Sequence, residues 1–361
     1  MRYFKTIELW IRRHFNRHVG MQRIPIVASH PQPVISSNDA ARILLLRQDR
    51  IGDVLVSVPV IRALRSHFPT STIDMVLSMN NISVRQAVAP YINDVILYKK
   101  GLLGLLKTRS ALRGVRYDVV VDLTDNASST SAILIHATHA RYAVGIDKEN
   151  RGVYTHVVPM ADRSSVHIVD RISRLLWPFD IDAIHLNMDL AFPLEAQHVQ
   201  QAHNEVRVAS KSSKILGVNI SGSQLSRMYP ENMLIEVMAS CKDQNSEIEI
   251  VIMCAPQHRE MQQRISTATG CRMIEPSPSF SAWAANINEL DAFFTPDTSA
   301  VHLAAAFKKP CVVLYKHESA DLMPWYPYNS PCFPVVTDGG QISTIPTQTV
   351  IEAIDQCLRS L

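Results

Sequence analysis

None of the six cysteines of this 361-residue chain precedes residue 241, and no Cys-x-x-Cys pair occurs. That spacing offers no zinc site, and with Cys254 and Cys311 in apolar strand-like runs it reads as reduced thiols of a cytoplasmic protein. No run approaches the roughly 18 apolar residues that a bilayer-spanning helix needs, and no signal-peptide pattern is present. The expectation is a protein neither integral to a membrane nor exported by such a signal. Charge is nearly balanced, 36 Lys and Arg against 33 Asp and Glu for a net +3, too small an excess to argue for nucleic acid as a partner. No Gly-x-Gly-x-x-Gly follows a strand-like run, which disfavours a dinucleotide-dependent dehydrogenase. Solenoid repeats and low-complexity tracts are absent as well.

What is present is ordinary globular material, 47% apolar and 19% charged, in a chain long enough for two domains of roughly 150 residues each. Short apolar runs alternate with helical patterns, as parallel α/β sheets require. In the first half, strands are predicted at 43–47, 72–77, 94–98, 118–122 and 143–145, and helices at 54–66, 83–88, 102–113 and 128–138. A polar connecting helix at 194–210 precedes a second series: strands at 215–220, 249–254, 292–295 and 311–315, with helices at 232–241, 257–267, 279–286 and 299–307. The expected organisation is an extension and linker over 1–40, a Rossmann-like domain over 41–190 and a second over 191–361.

The extension is compositionally odd. Between Met1 and Arg23 stand Arg2, Lys5, Arg12, Arg13, Arg17 and Arg23 against one acid, Glu8. Tyr3, Phe4, Ile7, Trp10, Ile11 and Phe15 recur at helical spacing, so a helix here would set an aromatic stripe beside a cationic face, as interfacial membrane helices do. A helix packed on the protein's own surface has the same pattern, and both readings stand. Residues 24–39, with Pro25, Pro31 and Pro33, read as a linker.

Three loops carry the polar chemistry. In the run from Ile43 to Pro59 a strand ends in a polar loop, and Gly52-Asp53 opens an apolar helix. Asp53 suits a helix cap; it also puts a carboxylate where open α/β sheets do chemistry. In Asn219-Ile220-Ser221-Gly222-Ser223-Gln224-Leu225-Ser226-Arg227-Met228-Tyr229-Pro230, small residues after a strand are followed by an arginine, a combination that suits a phosphate. The third loop, Thr295 to Ala306, sets Asp297 and Thr298 at a helix start and His302 one turn inside, where a satisfied core histidine is the plainer reading.

In order and spacing these segments resemble glycosyltransferase family 9, the bacterial lipopolysaccharide heptosyltransferases, over roughly residues 41–358. The resemblance is carried by the Ile51-Gly52-Asp53 loop and its Pro59-containing helix, by Asp122-Leu123-Thr124-Asp125-Asn126, by Arg227-Met228-Tyr229-Pro230 and by Asp297-Thr298-Ser299-Ala300-Val301-His302-Leu303-Ala304-Ala305. It implies a GT-B fold: two Rossmann-like parallel-sheet domains facing across a cleft, an N-terminal acceptor domain and a C-terminal nucleotide-sugar domain. The implied reaction is metal-independent, inverting transfer of heptose from ADP-heptose to a lipid-linked saccharide of the lipopolysaccharide core. No cofactor, no metal and no nucleic acid is implied.

By matching position, Asp53 would be the general base, and Ser221, Gly222, Ser223 and Arg227 would hold the diphosphate as its charge grows. Asp297, Thr298, Ser299 and His302 would lie beside the phosphates and the transferred sugar, with Arg50 and Asn126 on the acceptor side. The implied location is cytoplasmic, peripheral on the inner membrane, with the extension touching the membrane surface. Departures fall on the donor side. Ser299 replaces a glycine and Arg227 a lysine, Tyr315-Lys316-His317-Glu318 stands where members carry aromatic-Gly-Pro-(Ser/Thr), and His258 stands where they place a ribose-contacting glutamate. A different nucleotide sugar, or a non-catalytic sugar-nucleotide-binding protein, therefore stays open as an alternative.

Overall fold

A computed structural model describes residues 23–29, 35–210, 214–316, 322–337 and 340–361. Two compact units result, one ending at Met188 and the other beginning at Asp189. The basic segment lies outside the described residues except for Arg23, and so do His317 and Glu318.

The first unit is built on a seven-stranded sheet in the order β1-β7-β6-β5-β2-β3-β4, in which every pairing is parallel. Its strands are β1 (Ile26–Val27), β2 (Arg42–Leu46), β3 (Thr72–Ser78), β4 (Asp94–Tyr98), β5 (Val119–Asp122), β6 (Tyr142–Ile146) and β7 (His156–Val158). Its α-helices are α1 (Ile51–His67), α2 (Arg85–Val88), α3 (Leu102–Arg113), α4 (Ser129–Thr138) and α5 (Ile168–Ser173). Strands covered on both faces must be apolar throughout. Leu44 and Leu46 accordingly pack with Val76, Val120, Leu134 and Val157 in one buried cluster, each such side chain contributing about 1.5–3 kcal/mol over an exposed one.

The second unit repeats the plan with a six-stranded sheet, β10-β9-β8-β11-β12-β13, again parallel at every pairing. Its strands are β8 (Lys214–Asn219), β9 (Ile248–Met253), β10 (Arg272–Met273), β11 (Ala292–Pro296), β12 (Cys311–Tyr315) and β13 (Cys332–Val336). The helices are α6 (Ala196–Ala202), α7 (Glu231–Gln244), α8 (Arg259–Thr269), α9 (Phe280–Asn288), α10 (Ala300–Ala306) and α11 (Thr347–Arg359). Leu216, Val218, Ile252, Phe294, Leu314 and Ile354 lie in its core.

Each sheet reverses its strand order once. In the first unit the chain runs from β2 outward to β3 and β4, then returns to place β5 on the other side of β2. In the second it runs from β8 to β9 and β10, then returns to place β11 beside β8. The loops leaving neighbouring strands at such a point diverge and leave a crevice at the carboxyl ends, the ligand position of open α/β sheets.

Some elements differ from the sequence expectation. Ile26–Val27, in the stretch read as a linker, pairs with β7 at the sheet edge. The connecting helix is α-helical only over Ala196–Ala202, then continues in π-helical turns over His203–Val208. Helix α1 begins at Ile51 rather than Val54, because Asp53 closes its first turn.

Candidate active site

The crevice of the first unit is lined by the loops after β2 and β5. Arg47, 1% exposed, organises the first loop. Its Nε donates to the Asp53 carbonyl at 2.8 Å, and its Nη1 donates to the Leu123 carbonyl at 2.7 Å and to Asp49 Oδ2 at 3.3 Å. Asn81 Nδ2 donates to the Arg47 carbonyl (2.8 Å), and Gln48 Nε2 to Ser131 Oγ (2.8 Å). Burial opposes the charge of Arg47, but the carboxylates of Asp49, Asp53, Asp125 and Asp122 outweigh it and raise its pKa.

Asp53 sits at the third helical position, where its Oδ2 accepts the N–H of Arg50 at 3.0 Å and its Oδ1 stands 3.5 Å from Arg47 Nη2. The capping role is therefore present in the structure. Its side chain keeps 14% exposure, so the carboxylate also reaches solvent, and Arg50 beside it is exposed. Asp49 keeps more exposure, 35%, but its Oδ1 is buried, and that desolvation pushes its carboxyl up to about 6, with Arg47 opposing and Asp53 adding to the shift.

The loop after β5 carries a denser network. Asp122, fully buried, accepts from Tyr154 Oη at 2.6 Å, from Lys148 Nζ at 3.1 Å and from Thr124 Oγ1 at 2.8 Å. Burial first, and then Asp122, holds the Tyr154 phenol far above its usual range, so it stays a donor. Its ring packs on Gly145, where a Cβ would come within 2.4 Å of it. Asp125 accepts from Arg171 Nη2 at 3.0 Å, and Asn126 Oδ1 from Arg163 Nη2 at 3.1 Å. Lys148, Arg163 and Arg171 thus set three cations around the Asp122 to Asn126 loop. Sequence reasoning missed all three. Lys148, two residues past β6, was open to the carboxyl-end rule; the two arginines carry no local signal.

In the second unit the loops after β8 and β11 are tied together at their bases. Asn219 Nδ2 donates to Thr295 Oγ1 at 2.9 Å, and Asn219 Oδ1 accepts the Ser221 N–H at 3.1 Å. Ser221 Oγ accepts the Ala255 N–H at 2.8 Å and shares a 2.8 Å hydrogen bond with His258 Nδ1. These contacts tie Ser221 into the loop. Gly222 lies so close to Arg227 that a Cβ would fall 2.4 Å from the Arg227 carbonyl oxygen. Ser223 is exposed at the tip. Arg227 Nη1 donates to Asp297 Oδ2 at 2.7 Å, joining the two loops. Thr298 Oγ1 accepts the Ala300 N–H at 3.3 Å, and the Ser299 carbonyl accepts the His302 N–H at 3.2 Å. His302 is buried, its ring 6.0 Å from that of Trp325. Asn219 and Thr295, polar residues at the ends of apolar strands, were legible and were not singled out.

Arg227, Asp297, Thr298, Ser299 and His302 therefore converge at the carboxyl ends of β8 and β11, and Arg50, Asp53 and Asn126 at those of β2 and β5. A profile of glycosyltransferase family 9 (heptosyltransferase) matches residues 105–338. The chain belongs to glycosyltransferase family 9. It is a glycosyltransferase of the heptosyltransferase family, with the GT-B class of fold.

Among its relatives in this family is a lipopolysaccharide heptosyltransferase 3 of Escherichia coli, 22% identical over 341 residues, spanning 86% of this chain and 97% of that protein. Similar solved structures include the glycosyl transferase family 9 protein of Veillonella parvula DSM 2008 (TM-score 0.73, 18% identity, 90% of this chain and 100% of that one). The E. coli heptosyltransferase WaaC with ADP-2-deoxy-2-fluoro heptose is another (TM-score 0.69, 18% identity, 87% and 99%). Among the described residues of this family 9 chain, no helix is long and apolar enough to cross a membrane.

Proposed function

We propose that this family 9 member moves heptose from ADP-heptose to a lipid-linked saccharide of the lipopolysaccharide core, with inversion and without a metal ion, at the cytoplasmic face of the inner membrane. The observation that carries this reading is the placement of Asp53 and of the Arg227–Asp297 pair at the order-reversal points of two parallel sheets. The names borne by the relatives support the choice of donor and acceptor.

In this mechanism Asp53 accepts the proton of the acceptor hydroxyl as its oxygen attacks the anomeric carbon, and the bond from that carbon to the diphosphate breaks with inversion. Arg47, buried beneath, holds the carboxylate in place and aimed. Arg227, with the backbone of Gly222 and Ser223, meets the charge that develops on the departing diphosphate, so a cation of the protein takes the role of a divalent ion. Asp297 fixes the guanidinium before the donor arrives, and Thr298, Ser299 and His302 shape the sugar side. Arg50 and Asn126, with the cations around it, orient the acceptor. The test is turnover with a panel of nucleotide sugars in the presence of a chelator. Selective use of ADP-heptose supports the reading, and selective use of another nucleotide sugar moves the family 9 assignment to a different donor.

A further inference from the structure

We infer that the first turn of α3, with the lysines that precede it, is a docking surface for an anionic lipid bilayer. Its helix is divided cleanly. Leu105 packs on the core and Thr108 and Leu112 are buried, while Leu102, Leu103 and Leu106 are 72%, 77% and 47% exposed. Three neighbouring exposed leucines on one arc of a helix form a contiguous apolar patch, a feature that often marks an interaction site. The patch is held in place. Gly104 lies against the end of β4 so tightly that a Cβ there would fall 1.7 Å from the Lys99 carbonyl oxygen, which fixes the turn with its leucines outward.

Charge identifies the occupant. From Lys99 to Arg116 the chain carries Lys99, Lys100, Lys107, Arg109, Arg113 and Arg116 and no acidic residue. Apolar side chains that enter the acyl boundary, ringed by cations that meet phosphate head groups, are the composition of an interfacial anchor. Placement agrees. The patch follows the carboxyl end of β4, the edge strand, and so lies on the same edge of the sheet as the loop bearing Asp53, two strand spacings or about 10 Å from β2. An acceptor whose lipid stays in the membrane would present its sugar along that edge. This deepens the reading of a lipid-linked acceptor, and it involves residues other than the basic segment at 1–23.

The test is flotation of the full-length protein with vesicles, without acceptor. Wild type should partition into vesicles containing phosphatidylglycerol, weakly into pure phosphatidylcholine, and less as ionic strength rises roughly tenfold. The variant carrying Leu102→Ser, Leu103→Ser and Leu106→Ser should bind at least about tenfold more weakly with an unchanged melting temperature, since these side chains are exposed. The variant carrying Lys99→Gln, Lys100→Gln and Lys107→Gln should lose binding as well. Unchanged binding of the leucine variant overturns the inference, and so does equal partition of wild type into neutral vesicles. Conversion of a dimer to a monomer in that variant, with vesicle binding intact, would make the face a contact between copies. Transfer to a lipid-linked acceptor by wild type, together with unchanged vesicle binding of the leucine variant, would sink this inference and leave the proposed function standing. Lost vesicle binding in a protein that glycosylates only soluble saccharides would do the reverse.

Discussion

Arg47 grips Asp53 twice: its Nε donates to the Asp53 carbonyl at 2.8 Å, and its Nη2 stands 3.5 Å from the carboxylate. The guanidinium is wholly buried while the carboxylate is not. A helix cap needs no such backing, since the Arg50 N–H already satisfies one oxygen. A base that must stay aimed at its substrate gains from it.

Two substitutions separate capping from catalysis. Asp53→Asn keeps an oxygen for the Arg50 N–H, so its melting temperature should stay near that of wild type while turnover falls at least about a hundredfold. Asp53→Ala should show the same kinetic loss and a further stability loss of about 1 kcal/mol as the first turn loses its acceptor. Paired melting curves and single-turnover rates would check this. Near-normal turnover of Asp53→Asn would reduce Asp53 to a cap.

Asp49 predicts a pH signature. Burial pushes its carboxyl up to about 6, against about 4 when unfolded. An acid that holds its proton more tightly when folded contributes stability below the unfolded value and loses it as pH rises through the folded one. Asp49→Asn should therefore match wild type near pH 4 and exceed it by up to about 1 kcal/mol above pH 7, the figure reduced because the side chain is partly exposed. Denaturant melts across this range would check it, and parallel curves for the two proteins would contradict the assignment.

On the donor side, Arg227→Ala should weaken ADP binding by roughly 1.5–3 kcal/mol, the range for a charge-assisted hydrogen bond. Gly222→Ala should weaken it too, because the added Cβ would meet the Arg227 carbonyl oxygen at 2.4 Å and push the loop open. Calorimetric titration with ADP, with a chelator present, decides both. Unchanged affinity in the two variants would place the phosphates elsewhere.

How much of this was legible depends on distance along the chain. Continuous apolar runs such as Ile43 to Leu46 and Cys311 to Tyr315 announce buried parallel strands, and the loops bearing Asp53, Arg227 and Asp297 follow them directly. The strands β1 and β10, two residues each, are defined by pairing with a neighbour and have no pattern to read. Strand β13 contains Pro334 and is half-exposed at a sheet edge, which blurs its signal. Helix α11, which the sequence expectation lacks, has a legible pattern, since Val350, Ile351, Ile354, Cys357 and Leu358 form one buried stripe. In the network around Asp122 only the position of Lys148 at a strand's carboxyl end was legible, and the partners were out of reach. Lys148, Tyr154 and Arg171 meet their carboxylates across 26, 32 and 46 residues of sequence, and only the fold brings them together.

The measurement that bears most directly on the account is a single-turnover transfer assay with ADP-heptose and a heptose-deficient lipopolysaccharide core, run in EDTA, with the new linkage analysed by NMR. The account predicts one ADP released per heptose transferred, inverted anomeric configuration in the product and at least about a hundredfold slower transfer by Asp53→Asn. Retained configuration, dependence on a divalent ion, or full-rate transfer by Asp53→Asn would contradict it.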